Sequence, residues 1–202
     1  MTFTVCTSTH PAPDYAREAA VAKPVLGQAY TDHVAQAVWT ADRGWHDHQV
    51  SALEPLAMHP AAGVLHYAQE IFEGLKAYRR PDGGVQLFRP EKNAARFARS
   101  AVRLDMPPLP EAEFLESVRL LVELDQAWVP DPEGEQSLYI RPFMIADETF
   151  LGVRAAQRYR YLVVMTPAGP YYPEPVRLWV TPTYTRAAPG GTGAAKCGGN
   201  YA

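Results

Sequence analysis

Arg186 to Tyr201 reads R-A-A-P-G-G-T-G-A-A-K-C-G-G-N-Y. One lysine, Lys196, stands between two glycine pairs, Gly190-Gly191 and Gly198-Gly199. Glycine lets a backbone bend tightly or lets a ligand approach it closely. A solvated lysine needs no such setting, whereas an amine held in surroundings that favour its neutral form becomes a nucleophile. A phosphate-cradling loop would need G-K-[ST] and a following helix. Ala195 and Cys197 flank the lysine instead, so that motif fails. A dinucleotide fingerprint begins at Gly191-Thr192-Gly193, but Lys196 stands where the third glycine belongs. A Schiff-base lysine and a Gly-rich tail with a solvated lysine both survive this reading.

Working outward, the composition bounds the class. The 202 residues are 47% hydrophobic and 20% charged, which excludes disordered and fibrous chains. The length allows one or two domains of about 150 residues. A net charge of −3 gives no sign of nucleic-acid binding. Cys6 and Cys197 form neither a disulfide framework nor a metal spacing, so a reducing compartment, the cytoplasm, is expected. The first ten residues lack a basic region followed by an apolar core, so no signal peptide is expected. No run of about 18 apolar residues suggests a membrane span. His46-Asp47-His48 would put two imidazoles on one face of a strand. With no further ligands nearby it reads as a polar loop or edge, and no metal is expected.

Residues 1–30 show no period and read as a mobile, irregular arm. Val34–Thr40 reads as a strand, and residues 44–57 as a connection or an edge pairing. Gly74–Arg79 alternates as a strand, Asp82-Gly83-Gly84 supplies a turn, and Val85–Arg89 returns. Pro90 suits the first turn of a helix whose Phe97, Ala101 and Leu104 recur at helical spacing. Arg96 sits at the margin of that stripe, with Lys92 and Arg99 on the solvated side. Glu111–Trp128 repeats the pattern through Phe114, Leu115, Val118, Leu121 and Leu124, and Pro130-Asp-Pro-Glu-Gly stops it.

Ser137–Asp147 has period two: Tyr139, Arg141 and Phe143 share one face, while Leu138, Ile140 and Met144 point the other way. An arginine in so apolar a run requires an anion, either a ligand or an internal carboxylate. Pro142 cannot donate to a ladder and suggests an edge or a bulge. Tyr159–Thr166 is a further strand. Pro167–Pro175 is a stiff connector, and Val176–Thr185 is expected to begin a new strand that leads to the lysine.

K-x-G-G-N-Y after R-A-x-P-x-G-T-G resembles the pyridoxal-phosphate lysine segment of the branched-chain amino acid aminotransferases, which are fold-type IV enzymes. Residues 65–78, L-H-Y-A-Q-E-I-F-E-G-L-K-A-Y, are similar to that family's L-H-Y-x-x-x-x-F-E-G-x-K-A-Y signature. The resemblance implies that Lys196 holds pyridoxal 5'-phosphate and that Tyr201 bonds its phenolic oxygen. It implies that Arg96, in a match to R-x-x-x-S-A, contacts the phosphate, and that Arg186 lies on the cofactor side. It further implies that Tyr67 and Phe72 line the pocket for an apolar side chain. Tyr139 and Arg141, in S-x-Y-x-R-P, would hold the substrate end, with the arginine at the carboxylate.

The implied fold is α+β: a fold-type IV small domain over residues 1–166, a connector over 167–175, and the first strand and lysine segment of the large domain over 176–202. The sequence stops six residues after Lys196, where the family continues with the rest of that domain. The implied reaction is transamination of leucine, isoleucine or valine with 2-oxoglutarate. Branched-chain amino acids and 2-oxo acids would be the partners, in a homodimer that touches neither nucleic acid nor membrane. The alternatives are another enzyme of the same fold, such as a D-amino acid aminotransferase or an aminodeoxychorismate lyase, and an inactive fragment.

Overall fold

The computed structural model describes residues 2–132, 134–172 and 174–201. Glu133 of the expected helix stop and Pro173 of the expected connector lie outside them. In chain order the elements are β1 (Thr4–Val5), α1 (Asp14–Ala22), β2 (His33–Thr40), β3 (Gly44–Ala52), α2 (Val64–Tyr67), β4 (Glu70–Phe72) and β5 (Leu75–Arg79). There follow β6 (Val85–Leu87), α3 (Pro90–Arg103), α4 (Glu111–Leu124), β7 (Ser137–Ala146) and β8 (Arg158–Ala168). Short 3-10 turns occupy Gln126–Trp128 and Gly198–Asn200.

The strands form one sheet in the order β1-β3-β2-β8-β7-β5-β6, with β4 also pairing β7. All pairs are antiparallel except β1 with β3. The architecture is the α+β one expected. β7 and β8 form its spine, paired continuously from Ser137↔Ala168 to Ala146↔Tyr159.

The alternation read in residues 137–147 decides which way this sheet faces. Leu138, Ile140 and Met144 are fully buried in one core with Phe97 and Ala101 of α3 and Phe114, Val118 and Leu121 of α4. The Phe97 ring lies 5.4 Å from Phe114 and 5.6 Å from Tyr161, so the two helices and β8 meet at aromatic contacts. Tyr139, Arg141 and Phe143 are left on the other face of β7, only partly buried.

Four sequence expectations change. The N-terminal arm contains β1 and the nine-residue α1, which follows Pro13. No residue of α1 is fully buried; only Ala20 and Val21 pack, partly buried, against the core, too short a stripe for a periodicity reading to detect. β3 is a full strand between β2 and β1. A positive φ of 52° at Asp47 and a register shift in its pairing send His46 to the Thr40 hydroxyl (3.1 Å) and His48 to Glu113 (2.8 Å).

Pro142 lies in the central strand rather than at an edge. β5 pairs β7 up to Ile140 and β4 pairs it from Phe143, so the missing N–H of Pro142 faces the gap between those two strands. Its carbonyl, pointing the same way, accepts from Glu73 N at 2.7 Å. Finally, β8 runs on through Pro167 to Ala168, and residues 176–185 form no strand. A strand exists only where a neighbour completes its ladder, and here Leu178, Trp179 and Val180 are 83%, 80% and 84% exposed.

Burial pushes the Tyr159 phenol up from 10.0 to about 12 and raises that of Tyr161 as well. Above pH 10.0 the unfolded chain releases these protons while the folded one retains them. Stability is therefore complete below that pH and falls as pH rises through it, by about 1.4 kcal/mol per pH unit for each phenol. Urea unfolding from about pH 9 to about pH 11 is expected to show this decline, with a shallower slope in Tyr159→Phe. An unchanged slope would mean that Tyr159 ionises freely in the folded state.

Candidate functional site

Lys196 has no strand to carry it, and its placement comes from two backbone hydrogen bonds. Its N–H donates to Ser100 Oγ of α3 at 2.9 Å, and its carbonyl accepts from Phe72 N of β4 at 3.0 Å. Ser100 is buried on the core side of α3, one helical turn from Arg96 and Phe97. Asn200 closes the Gly-rich turn around the lysine: its Nδ2 donates to the carbonyls of Thr192 (3.0 Å) and Ala195 (2.9 Å), and its Oδ1 accepts from Thr192 Oγ1 (2.8 Å). Arg103, at the end of α3, holds the same turn through the Gly191 carbonyl at 2.6 Å. Gly198 lies against the Glu70 side chain, whose carboxylate would have to swing aside for a Cβ there.

The lysine amine donates to Tyr201 Oη at 2.8 Å and lies 4.2 Å from the centroid of the Phe72 ring. Tyr201 packs edge-on to Phe72 at 5.1 Å, and Arg186 lies 5.4 Å over the Tyr201 ring. Arg96, Arg186, Lys196, Asn200 and Tyr201 line a cleft of about 220 Å³. Among the described residues neither Lys196 nor Arg186 pairs with a carboxylate; Arg96 does, with Glu73. Glu73 first, and Tyr201 to a lesser degree, raise the Arg96 guanidinium above its ordinary pKa, so it stays a cation.

On the outer face of β7, Arg141 Nη2 donates to Tyr139 Oη at 2.9 Å, and its guanidinium carbon lies 4.8 Å over Phe72. Its Nε is buried without a partner. The internal carboxylate that the sequence left open is absent among the described residues. Phe72 thus has Lys196 and Arg141 against one ring. A cation with an unpartnered buried donor is suited to an incoming anion such as a carboxylate.

The structure therefore brings Lys196, Tyr201, Arg186 and Arg96 to one cleft, with Phe72 packed against Lys196 and Tyr201, and Arg141 and Tyr139 joined to it through Phe72. Tyr67 lies apart from these contacts. Its hydroxyl donates to the Leu151 carbonyl, and it lines a second cleft of about 300 Å³ with Gln69, Leu104, Phe150 and Val153. Sequence reasoning does not single out Glu73, Ser100 and Asn200. Their signal is present in the quoted motifs, as F-E-G, R-S-A and G-G-N, but their roles are contacts with residues distant in sequence.

No protein-family model matches the chain. It is 54% identical over 99% of its length to the branched-chain-amino-acid aminotransferase of Mycolicibacterium smegmatis, covering 55% of that protein. It is 49% identical over 88% of its length to branched-chain-amino-acid aminotransferase 2 of Bacillus subtilis, covering 49% of that protein. The chain spans about half the length of the curated relatives it matches. Among solved structures, the branched-chain aminotransferase of Thermoproteus uzoniensis with norvaline matches at TM-score 0.65 and 22% identity, over 83% of this chain and 52% of that one. The branched-chain amino acid aminotransferase of Escherichia coli matches at TM-score 0.55 and 21% identity, over 83% and 53%. These two share the fold.

Gly74 lies beneath Tyr139: a Cβ at this position would be 2.3 Å from Tyr139 Oη and 3.0 Å from its Cζ. Gly74→Ala is expected to displace the Tyr139 ring and break its hydrogen bond to Arg141. Overpacking of this kind costs about 1–3 kcal/mol. A crystal structure of the variant and its thermal unfolding check this. An unmoved Tyr139 with unchanged stability would contradict the contact.

Proposed function

We propose that the chain belongs to the branched-chain-amino-acid aminotransferase family, and that it carries the cofactor lysine and part of the substrate site of a pyridoxal-phosphate-dependent branched-chain amino acid transaminase. The observation that carries this reading is the cleft in which Lys196, Arg186 and Arg96 converge on Tyr201. Two of the three cations have no carboxylate among the described residues, so the cleft is chemically matched to a phosphorylated anion. The amine at its floor is matched to an aldehyde.

Arg96 and Arg186 bind the phosphate side, and Tyr201 holds the phenolic oxygen. Pyridoxal phosphate, when bound, supplies the electron sink that lets a proton leave the substrate Cα. Lys196 anchors it through Nζ. As a free amine over the Phe72 ring, Lys196 would also carry the proton to and from the substrate Cα. Arg141, steadied by Tyr139, grips the carboxylate. Phe72 shapes the apolar side-chain pocket, whereas Tyr67 faces the second cleft and has no part in it. The substrates are leucine, isoleucine or valine with 2-oxoglutarate. A homodimer in the cytoplasm goes with this reading, and both described cysteines are free thiols, as in a reducing compartment. No described helix is long and apolar enough to cross a membrane. The small domain ends with β8, and the residues from 176 onward begin the cofactor domain.

In the intact protein, a visible absorption band is expected that disappears in Lys196→Ala, together with leucine-dependent formation of glutamate from 2-oxoglutarate. Borohydride reduction followed by peptide mapping should find the cofactor on Lys196. A label on another lysine would remove the assignment. Turnover of D-alanine in place of leucine would move the protein to a different enzyme of the same fold.

A further inference from the structure

Glu73 lies between β4 and β5, opposite Pro142, and is fully buried. Both carboxylate oxygens are occupied. Oε1 accepts from Arg96 Nε at 2.5 Å; Oε2 accepts from Arg96 Nη2 at 2.7 Å, Asn93 Nδ2 at 2.8 Å and Gly74 N at 3.1 Å. Asn93 is itself held by the Gly74 carbonyl at 3.2 Å. The carboxylate is therefore fixed from three directions and grips one edge of the guanidinium through two parallel bonds.

An arginine side chain otherwise has wide rotamer freedom. Here α3 brings Arg96 to the margin of the core, and its side chain remains 49% exposed. With Nε and Nη2 held by Glu73, Nη1 and the outer edge of the fork remain for the cleft that Arg96 shares with Arg186 and Lys196. Fixing a binding group in its working orientation before the ligand arrives lowers the entropy lost on binding. A buried carboxylate with a single cation is also a common structural ion pair, so orientation and mere stability must be separated by experiment.

We propose that Glu73 is a positioning residue that aims the Arg96 guanidinium at the phosphate of the cofactor, and so sets the preference for phosphorylated over unphosphorylated pyridoxal. This rests on the reading of the Lys196 cleft as a pyridoxal-phosphate site. Glu73 touches neither cofactor nor substrate and acts through Arg96.

The test uses the intact protein freed of cofactor. Dissociation constants are measured for pyridoxal 5'-phosphate and for pyridoxal, which differ only in the phosphate. Glu73→Gln is expected to reduce the preference for the phosphate ester by at least about tenfold and to leave pyridoxal affinity within about twofold. Adding Glu73→Gln to Arg96→Ala should leave the preference where Arg96→Ala alone put it, because the two act as one unit. If Glu73→Gln does not fold, Glu73→Asp provides the same readout, since it keeps the charge and withdraws it by one methylene. An unchanged preference in the folded variant overturns the proposal, as does an equal loss for both ligands, which would mark Glu73 as a packing residue. A wild-type protein that takes both ligands equally would instead remove the cofactor reading, and the proposal with it.

Discussion

The site depends on the clamping of the Lys196 backbone between Ser100 and Phe72. Residues 176–196 have no strand of their own, and much of this segment is exposed. Two hydrogen bonds, one to a helix hydroxyl and one to a strand amide, bring the lysine to a rigid surface. Each is a neutral bond of about 1 kcal/mol. Their effect is geometric: α3 and β4 are fixed by the core, so anything tied to both inherits their positions. Cys197 and Ala195, on either side of the lysine, are buried and join the same core. The amine itself, pointing away, reaches Tyr201.

Charge around this point is arranged unevenly. Glu73 neutralises part of Arg96 on the protein side, whereas Arg141 and Arg186 meet rings and a hydroxyl. Aromatic faces stabilise a cation less than a carboxylate does. They also leave its hydrogen-bond donors available, which an ion pair would use up. Phe72 is central because its ring receives both Lys196 and Arg141. Its backbone belongs to β4, next to the gap at Pro142. The break in pairing that accommodates a proline in the central strand is thus the same break that turns Glu73 inward toward Arg96. Interruption of a ladder, costly elsewhere in a sheet, here aims two functional groups.

Local patterns are legible wherever an element buries one face. The period-two alternation of residues 137–147 identifies the core side of β7, and hence the outward side of Tyr139 and Arg141. The stripes through Phe97 and Phe114 locate both large helices. Elements without a buried face are not legible: α1 fully buries no residue, and β1 is two residues long. For Pro142 the residue chemistry holds, since it does lack a ladder bond. The inference to an edge or a bulge fails because the gap lies between two partners that keep one register on one side of a central strand. Residues 176–185 show the converse. Their composition suits a strand, yet no neighbour among the described residues completes the ladder.

By itself the sequence determined what depends on spacing along the chain: the class of fold, the faces of β7, α3 and α4, the isolation of Lys196 among glycines, and the motifs that resemble an aminotransferase. Tertiary structure decided what depends on contacts between distant segments. It placed Ser100 and Phe72 on Lys196, separated Tyr67 into a second cleft, left Arg141 without a carboxylate among the described residues, and gave Glu73 to Arg96. The physical reason is range. Periodicity records whether a residue faces the core, a property of its own element. The partner of a buried charge is chosen by how those elements pack, across 23 positions of sequence for Arg96 and Glu73.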